Sequence, residues 1–171
     1  MNDSNARASA QQFLDALFTD APAASLRARV DWPRFRLMQL MQATAGADVA
    51  AREDLVTRGL DALAKLPEGT AVPDLEERAL RSLRSLIEIL IGRRWRFVDG
   101  YDNPLLAGLR AGPVAAAPPG VRRYLLQLAE LARAATPVTI TNADDDDGQK
   151  LMTLLLVDGR YCGFLPGNLR R

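Results

Sequence analysis

Two hydrophobic periods divide the chain near Ala135. Before that point apolar residues recur three and four positions apart, as on one side of a helix; after Pro137 they alternate or run together, as in strands. A first helix is expected over about 4–18, where Ala10, Phe13, Leu14, Leu17 and Phe18 share a face, and a short helical turn over 26–30. Trp32-Pro33 opens the next, with Pro33 at the first helical position, where its missing N–H costs nothing. Phe35, Leu37, Met38, Leu40 and Met41 form its buried stripe, and Gly46 ends it. Asp48 caps a helix running to about Lys65, with Val49, Leu55, Val56, Leu60 and Leu63 inward, and Leu66-Pro67-Glu68-Gly69 breaks it.

Asp74-Leu75-Glu76-Glu77 has the spacing of a capping box with Asp74 in the cap position. It opens a helix to about Arg93 whose wide stripe, including Leu80, Leu83, Ile87 and Ile91, suits central packing. Residues 94–98 read as a short strand, Asn103-Pro104 starts a brief helix, and 111–120 is a Gly/Ala/Pro connector. A last helix carries Val121, Tyr124, Leu125, Leu128, Leu131 and Ala132, and Pro137 stops it.

Beyond Pro137 the chain reads as a β-meander: a strand over 138–141, an acidic loop, then a hairpin. Leu151 to Val157 runs into Asp158-Gly159, and Arg160 to Leu165 follows. Asp-Gly between two apolar runs marks a two-residue turn, because both turn positions need positive φ. Such a turn sets Leu156 opposite Tyr161, Leu154 opposite Gly163 and Met152 opposite Leu165, with Cys162 and Phe164 on the other face. The expected fold is α+β: one domain over 1–171, with five or more helices on a small C-terminal antiparallel meander of three to four strands. Residues 151–157 should form a central strand.

Composition then removes whole classes of chemistry. The chain has 171 residues and a net charge of +1, which gives no bulk attraction to nucleic acid. It has no histidine, so Ser-His and Cys-His nucleophile pairs and histidine-ligated zinc are excluded. Its one cysteine, Cys162, permits no intrachain disulfide and no cysteine zinc cluster, and its place in a strand reads as a buried, inert thiol. All but Lys65 and Lys150 of the 22 basic residues are arginine. That bias fits the codon usage of a GC-rich bacterial genome; the functional alternative is selection for bidentate phosphate or carboxylate binding. The N-terminus is polar and lacks the regions of a signal peptide, and the longest apolar stretch, Leu86 to Ile91, is short and holds Glu88, so no membrane span is expected.

Three segments could carry a site. Asp144-Asp145-Asp146-Asp147-Gly148 fails as an EF-hand loop: with Gly148 sixth, Ala143 stands first and Leu154 twelfth. It reads as a solvated turn, and no metal or cofactor is assigned. Arg93-Arg94-Trp95-Arg96-Phe97 interleaves charge with aromatics, as single-strand nucleic-acid surfaces do. Yet Arg93 and Arg94 fall where cations complement a helix C-terminus, and Trp95 and Phe97 alternate as inward strand residues would, so nucleic acid is not the expected partner. The candidate ligand pocket is the stretch from Arg96 through Asp99 and Tyr101 to Asp102. The plainer reading makes Asp99-Gly100 a turn and Asp102 or Asn103 a helix cap. No Walker loop, dinucleotide fingerprint or Gly-x-Ser-x-Gly elbow is present.

Two segments resemble the NTF2-like superfamily. Gln11-Gln12-Phe13-Leu14-Asp15-Ala16-Leu17-Phe18 is similar to the opening helix of those proteins, and Lys150 to Tyr161, with its Asp-Gly turn followed by a basic residue and an aromatic, to their closing strands. Members place more strands in the middle of the chain, where 74–135 is mainly helical here. Both faces of the hairpin are apolar, so either helices lie on both sides or a second copy covers one of them; the resemblance, which implies a curved sheet, favours a homodimer formed through it. The subtractive reading of function is a non-catalytic binding or accessory protein recognising a protein partner or a small apolar ligand. The alternative is a carboxylate-dependent isomerase or hydratase-type enzyme with an NTF2-like cavity; the resemblance carries over no catalytic residue set, and the candidates from the segment itself are Asp99, Tyr101 and Asp102 moving protons beside Arg96.

Overall fold

Helix follows helix through the first half of the computed structural model, which describes residues 3–19, 23–44, 47–66, 73–113, 115–144 and 150–168. α1 (Asp3–Phe18), α2 (Ala23–Ala28), α3 (Trp32–Thr44), α4 (Val49–Ala64) and α5 (Pro73–Leu90) precede any strand. β1 (Trp95–Val98), α6 (Pro104–Ala111) and α7 (Pro119–Ala134) lead to β2 (Thr136–Asn142), β3 (Lys150–Val157) and β4 (Arg160–Asn168). The four strands form one antiparallel sheet in the order β1-β2-β3-β4, so β3 lies between β2 and β4 as its apolar run requires. The chain is α+β, with a C-terminal sheet.

Each face of the sheet has its own core. On one, Phe13 and Leu14 of α1 and Leu83 and Ile87 of α5 meet Met152, Leu154 and Tyr161. The Phe13 and Tyr161 rings stack there with centroids 4.2 Å apart. On the other, Leu106 of α6 and Leu128 of α7 share a core with Leu155, Val157 and Leu165, and Leu60 of α4 joins it from the outer side. Helices therefore lie on both sides, and no second copy is needed to cover either face of the hairpin.

α3 runs beside β4 and feeds both cores, with Phe35 in the first and Leu37 and Met38 in the second. The approach is close: a Cβ on Gly163 would stand 2.7 Å from Met38 Cγ. Just before α3, Asp31 N donates to the Tyr161 carbonyl at 2.8 Å and Tyr161 N to the Arg29 carbonyl at 2.8 Å, a one-residue parallel bridge at Val30. Bridge and helix together close the β4 edge, which would otherwise offer unpaired amides to another chain.

Asp158 and Gly159 form the expected turn, with φ of 50° and 76°. Leu156 faces Tyr161 as read from sequence, but the register then slips: Leu155 faces Gly163, Leu154 faces Phe164 and Thr153 faces Leu165. Cys162 is an extra residue, a β-bulge, so every later side chain changes face. Phe164 consequently packs on the first core and Leu165 in the second, the reverse of the period-two expectation.

Three smaller expectations are corrected. α5 starts at Pro73, which puts Asp74 inside the helix rather than at its cap, and Glu77 pairs with Arg81 one turn on. That helix ends at Leu90, short of Arg93. Leu55 is exposed, because the stripe of α4 that faces α3 and α7 is carried by Val56 and Leu60. Asp48 does cap α4, accepting from Ala51 N at 2.8 Å. Gly46 and 67–69 lie outside the described residues.

Candidate functional site

The stretch from Arg96 to Asn103 leaves β1 and enters α6. Gly100 has φ of 65°, as a turn glycine should, and Asn103 caps α6, its side-chain oxygen accepting from Leu105 N at 2.9 Å and Leu106 N at 3.4 Å. Asp99, Tyr101 and Asp102 line one shallow cleft of about 250 Å³ with Arg7, Pro137 and Thr139. Arg96 does not line it and is exposed on β1. Asp99 pairs with Arg7 while its side chain is 81% exposed, and Asp102 is exposed. Tyr101 is half-buried, its hydroxyl 2.9 Å from where a Cβ on Gly167 would stand. The buried polar group nearest in sequence is Asn103, whose amide donates to Thr153 Oγ1 at 3.0 Å and to the Pro166 carbonyl at 3.2 Å. Thr139 Oγ1 lies 3.0 Å from Thr153 Oγ1, so this chain of bonds ties the α6 cap across three strands.

The basic-aromatic run is taken up by the fold. Trp95 and Phe97 are half-buried against the first core, Arg93 pairs with Glu88 at 2.5 Å, and Arg94 pairs with Asp144 at 3.0 Å. Asp145, Asp146 and Asp147 lie outside the described residues. Among the described residues, no group of three or more His, Cys, Asp or Glu stands together to hold a metal, and no helix is long and apolar enough to cross a membrane.

A larger concavity, about 810 Å³, opens between α3, α4 and α7 beside the first residue of β4. Its floor is aliphatic, with Leu37, Leu60, Leu63 and Leu131, all of them in or against the second core. Around that floor stand Arg34 and Arg36 of α3, Arg123 of α7 and Arg160 of β4, facing two carboxylates, Asp31 and Glu130. Two of the arginines are committed to the fold. Asp31, 3% exposed, sits at the start of α3, where it accepts from Arg34 N at 3.3 Å and pairs with Arg34 Nη1 at 2.6 Å. Arg36 reaches Glu76 of α5 at 2.5 Å, with side-chain exposures of 12% and 5%. Arg123 and Arg160 are exposed, and their side chains make no ion pair or hydrogen bond among the described residues.

Sequence reasoning missed this groove because its walls lie at residues 30–37, 60–66, 123–131 and 160. The available signals were the arginine bias and the spacing of Arg123, Gln127 and Glu130, which shows one polar face of α7 beside Leu131.

Cys162 is the buried thiol expected: fully buried, its Sγ donates to the Leu155 carbonyl at 3.2 Å. Burial pushes its pKa up to about 12, with Asp31 adding to the rise and Arg34 opposing it. Burial also raises Tyr124 and Tyr161, so all three stay protonated near neutrality. No protein-family model, curated protein or solved structure matches the chain.

Proposed function

We propose that this chain is a non-catalytic binding protein that holds a protein partner in the groove between α3, α4 and α7. The lining of that groove carries the reading: leucines below, arginines above, and no hydroxyl, thiol or amine nucleophile among the described residues. Its buried carboxylate, Asp31, is already used as a helix cap and an arginine partner. Such a surface is suited to recognition rather than to bond-making. A charged rim favours a protein surface over a small apolar ligand, which would leave the arginines without complement. The enzyme alternative draws on the smaller cleft, where Asp99 is solvated and paired with Arg7 instead of enclosed in an apolar wall. The resemblance to the NTF2-like superfamily is not needed for this reading.

Photocrosslinking in the source organism tests it. A benzophenone side chain at Gln127, in the groove, should give a discrete protein adduct that the same group at Ser85, on the exposed side of α5, does not give. Identical adducts from both positions, or none from Gln127, would overturn the assignment.

A further inference from the structure

We propose that the occupant of the groove is an acidic, leucine-bearing segment of a partner protein whose carboxylates are taken by Arg123 and Arg160. This rests on the binding reading above and specifies its ligand. Arg34 and Arg36 already have carboxylates in Asp31 and Glu76, whereas Arg123 and Arg160 line the groove without an ion pair among the described residues, leaving the rim with more arginines than carboxylates. They come from different elements, α7 and the start of β4, with the leucine floor adjoining both. An open groove with an apolar floor and a cationic rim receives the apolar face of an amphipathic segment, and its acidic flank then meets the guanidinium groups. Each guanidinium presents a planar fork that matches a carboxylate with two parallel hydrogen bonds.

Nucleic acid is anionic too, but the lining disfavours it. Leucines offer no surface for bases to stack on, whereas they can take the apolar side chains of a protein segment. The one aromatic there, Trp32, is 7% exposed with its indole N–H held by the Arg27 carbonyl at 3.1 Å.

Fluorescence anisotropy on the full chain decides the matter. The probes are a short labelled peptide with leucine at helical spacing and glutamate elsewhere, its glutamine and lysine counterparts, and a single-stranded oligonucleotide. The glutamate peptide should bind at least about tenfold more tightly than the glutamine peptide, a gap that narrows as salt is raised. The Arg123→Glu/Arg160→Glu protein should lose the glutamate peptide and gain the lysine one. Both positions are exposed, so far-ultraviolet circular dichroism and the melting curve should match the parent; if the double variant fails to fold, Arg123→Ser and Arg160→Ser are read singly. Equal binding of glutamate and glutamine peptides, unchanged affinity after charge reversal, or tighter binding of the oligonucleotide would overturn the proposal. A Gln127 adduct that survives charge reversal would remove this inference and leave the binding reading standing; absence of both adduct and peptide binding would remove both.

Discussion

The two faces of the sheet are closed in different ways. Under α1 and α5 stacked rings sit among aliphatic side chains: Phe13 stacks on Tyr161, and the Phe35 ring centroid lies 6.0 Å from that of Tyr161, with Leu83, Ile87 and Leu154 around them. Under α6 and α7 leucine and valine predominate, with Tyr124 as the one buried ring among the described residues, together with a threonine–asparagine chain. The difference shows in the margins. α1 lies directly on β2, β3 and β4, while α4 packs mainly on α3 and α7. A helix held one layer out leaves a wedge between its end and the first residue of β4, and that wedge is the groove. One face is therefore built to be full and the other to stay open at its rim.

The largest expected effect separates the two directly. Phe13→Ala, in the first core, should cost about 3–5 kcal/mol, because the stacked ring leaves a cavity that the neighbouring helix cannot close. Leu63→Ala, at the half-buried groove margin, should cost about 1 kcal/mol, since solvent already reaches that side. Urea denaturation of both variants measures this, and equal losses would break the contrast.

Arg36 joins the groove to the buried interior through Glu76, whose second carboxylate oxygen has no hydrogen-bond partner among the described residues. Arg36→Met strips that carboxylate of its counter-charge and should cost about 3 kcal/mol. Adding Glu76→Leu removes the stranded charge and should recover most of the loss. A double variant no more stable than the single one would show that the pair contributes through packing and not through charge compensation.

Much of this contrast was legible in the residues, and the illegible part has physical causes. The Asp158-Gly159 turn, the Asp48 cap and the helical stripes were readable because turn conformation, capping and periodicity are local. The bulge at Cys162 was not, since counting alternate residues from a turn assumes that no extra residue intervenes. Asp74 matched a capping spacing, but Pro73 had already begun the helix with its fixed φ. At 99–103 the turn and cap readings describe Gly100 and Asn103 as the fold places them. The groove was hidden because no local pattern states which helix ends will meet.

Gly163 tests how tightly α3 seals β4 between the two faces. Gly163→Ala would set a methyl 2.7–2.8 Å from Met38 Cγ and Cβ, atoms near the backbone that cannot swing clear. The expected cost is about 1–3 kcal/mol, falling in part when Met38→Ala is combined with it, because that change removes Cγ and leaves Cβ. Additive losses in a thermal or urea cycle would mean that the helix, not the side chain, gives way.

Alkaline titration reaches the second face alone through Cys162. Its folded pKa is raised to about 12, so the thiol stays neutral in the fold while the unfolded chain ionises from about pH 8.5. The stabilisation is therefore complete below the unfolded value and is lost as pH rises toward the folded one, at about 1.4 kcal/mol per pH unit at most. The stability gap between the parent and Cys162→Ala should shrink between pH 8 and pH 10. A gap that is constant over that range would contradict the burial of the thiol.

The finest test sets one tyrosine of each face against the other. Tyr124, in the second core, donates its hydroxyl to the Leu37 carbonyl at 3.1 Å and so ties α7 to α3 behind the groove. Tyr161, in the first, is fully buried between Phe13 and Phe35, with a hydroxyl that finds no partner among the described residues. Removing a bonded hydroxyl loses a net interaction, whereas removing an unbonded one releases a desolvation cost already incurred. Tyr124→Phe should therefore cost about 1 kcal/mol, and Tyr161→Phe should be neutral or stabilise by up to about 1 kcal/mol. Both changes keep the ring and its volume, so the sign difference reads the hydroxyl and not the packing. A loss at Tyr161 equal to that at Tyr124 would place a bonded water in the first core, and the picture of a dry, fully packed face would fail.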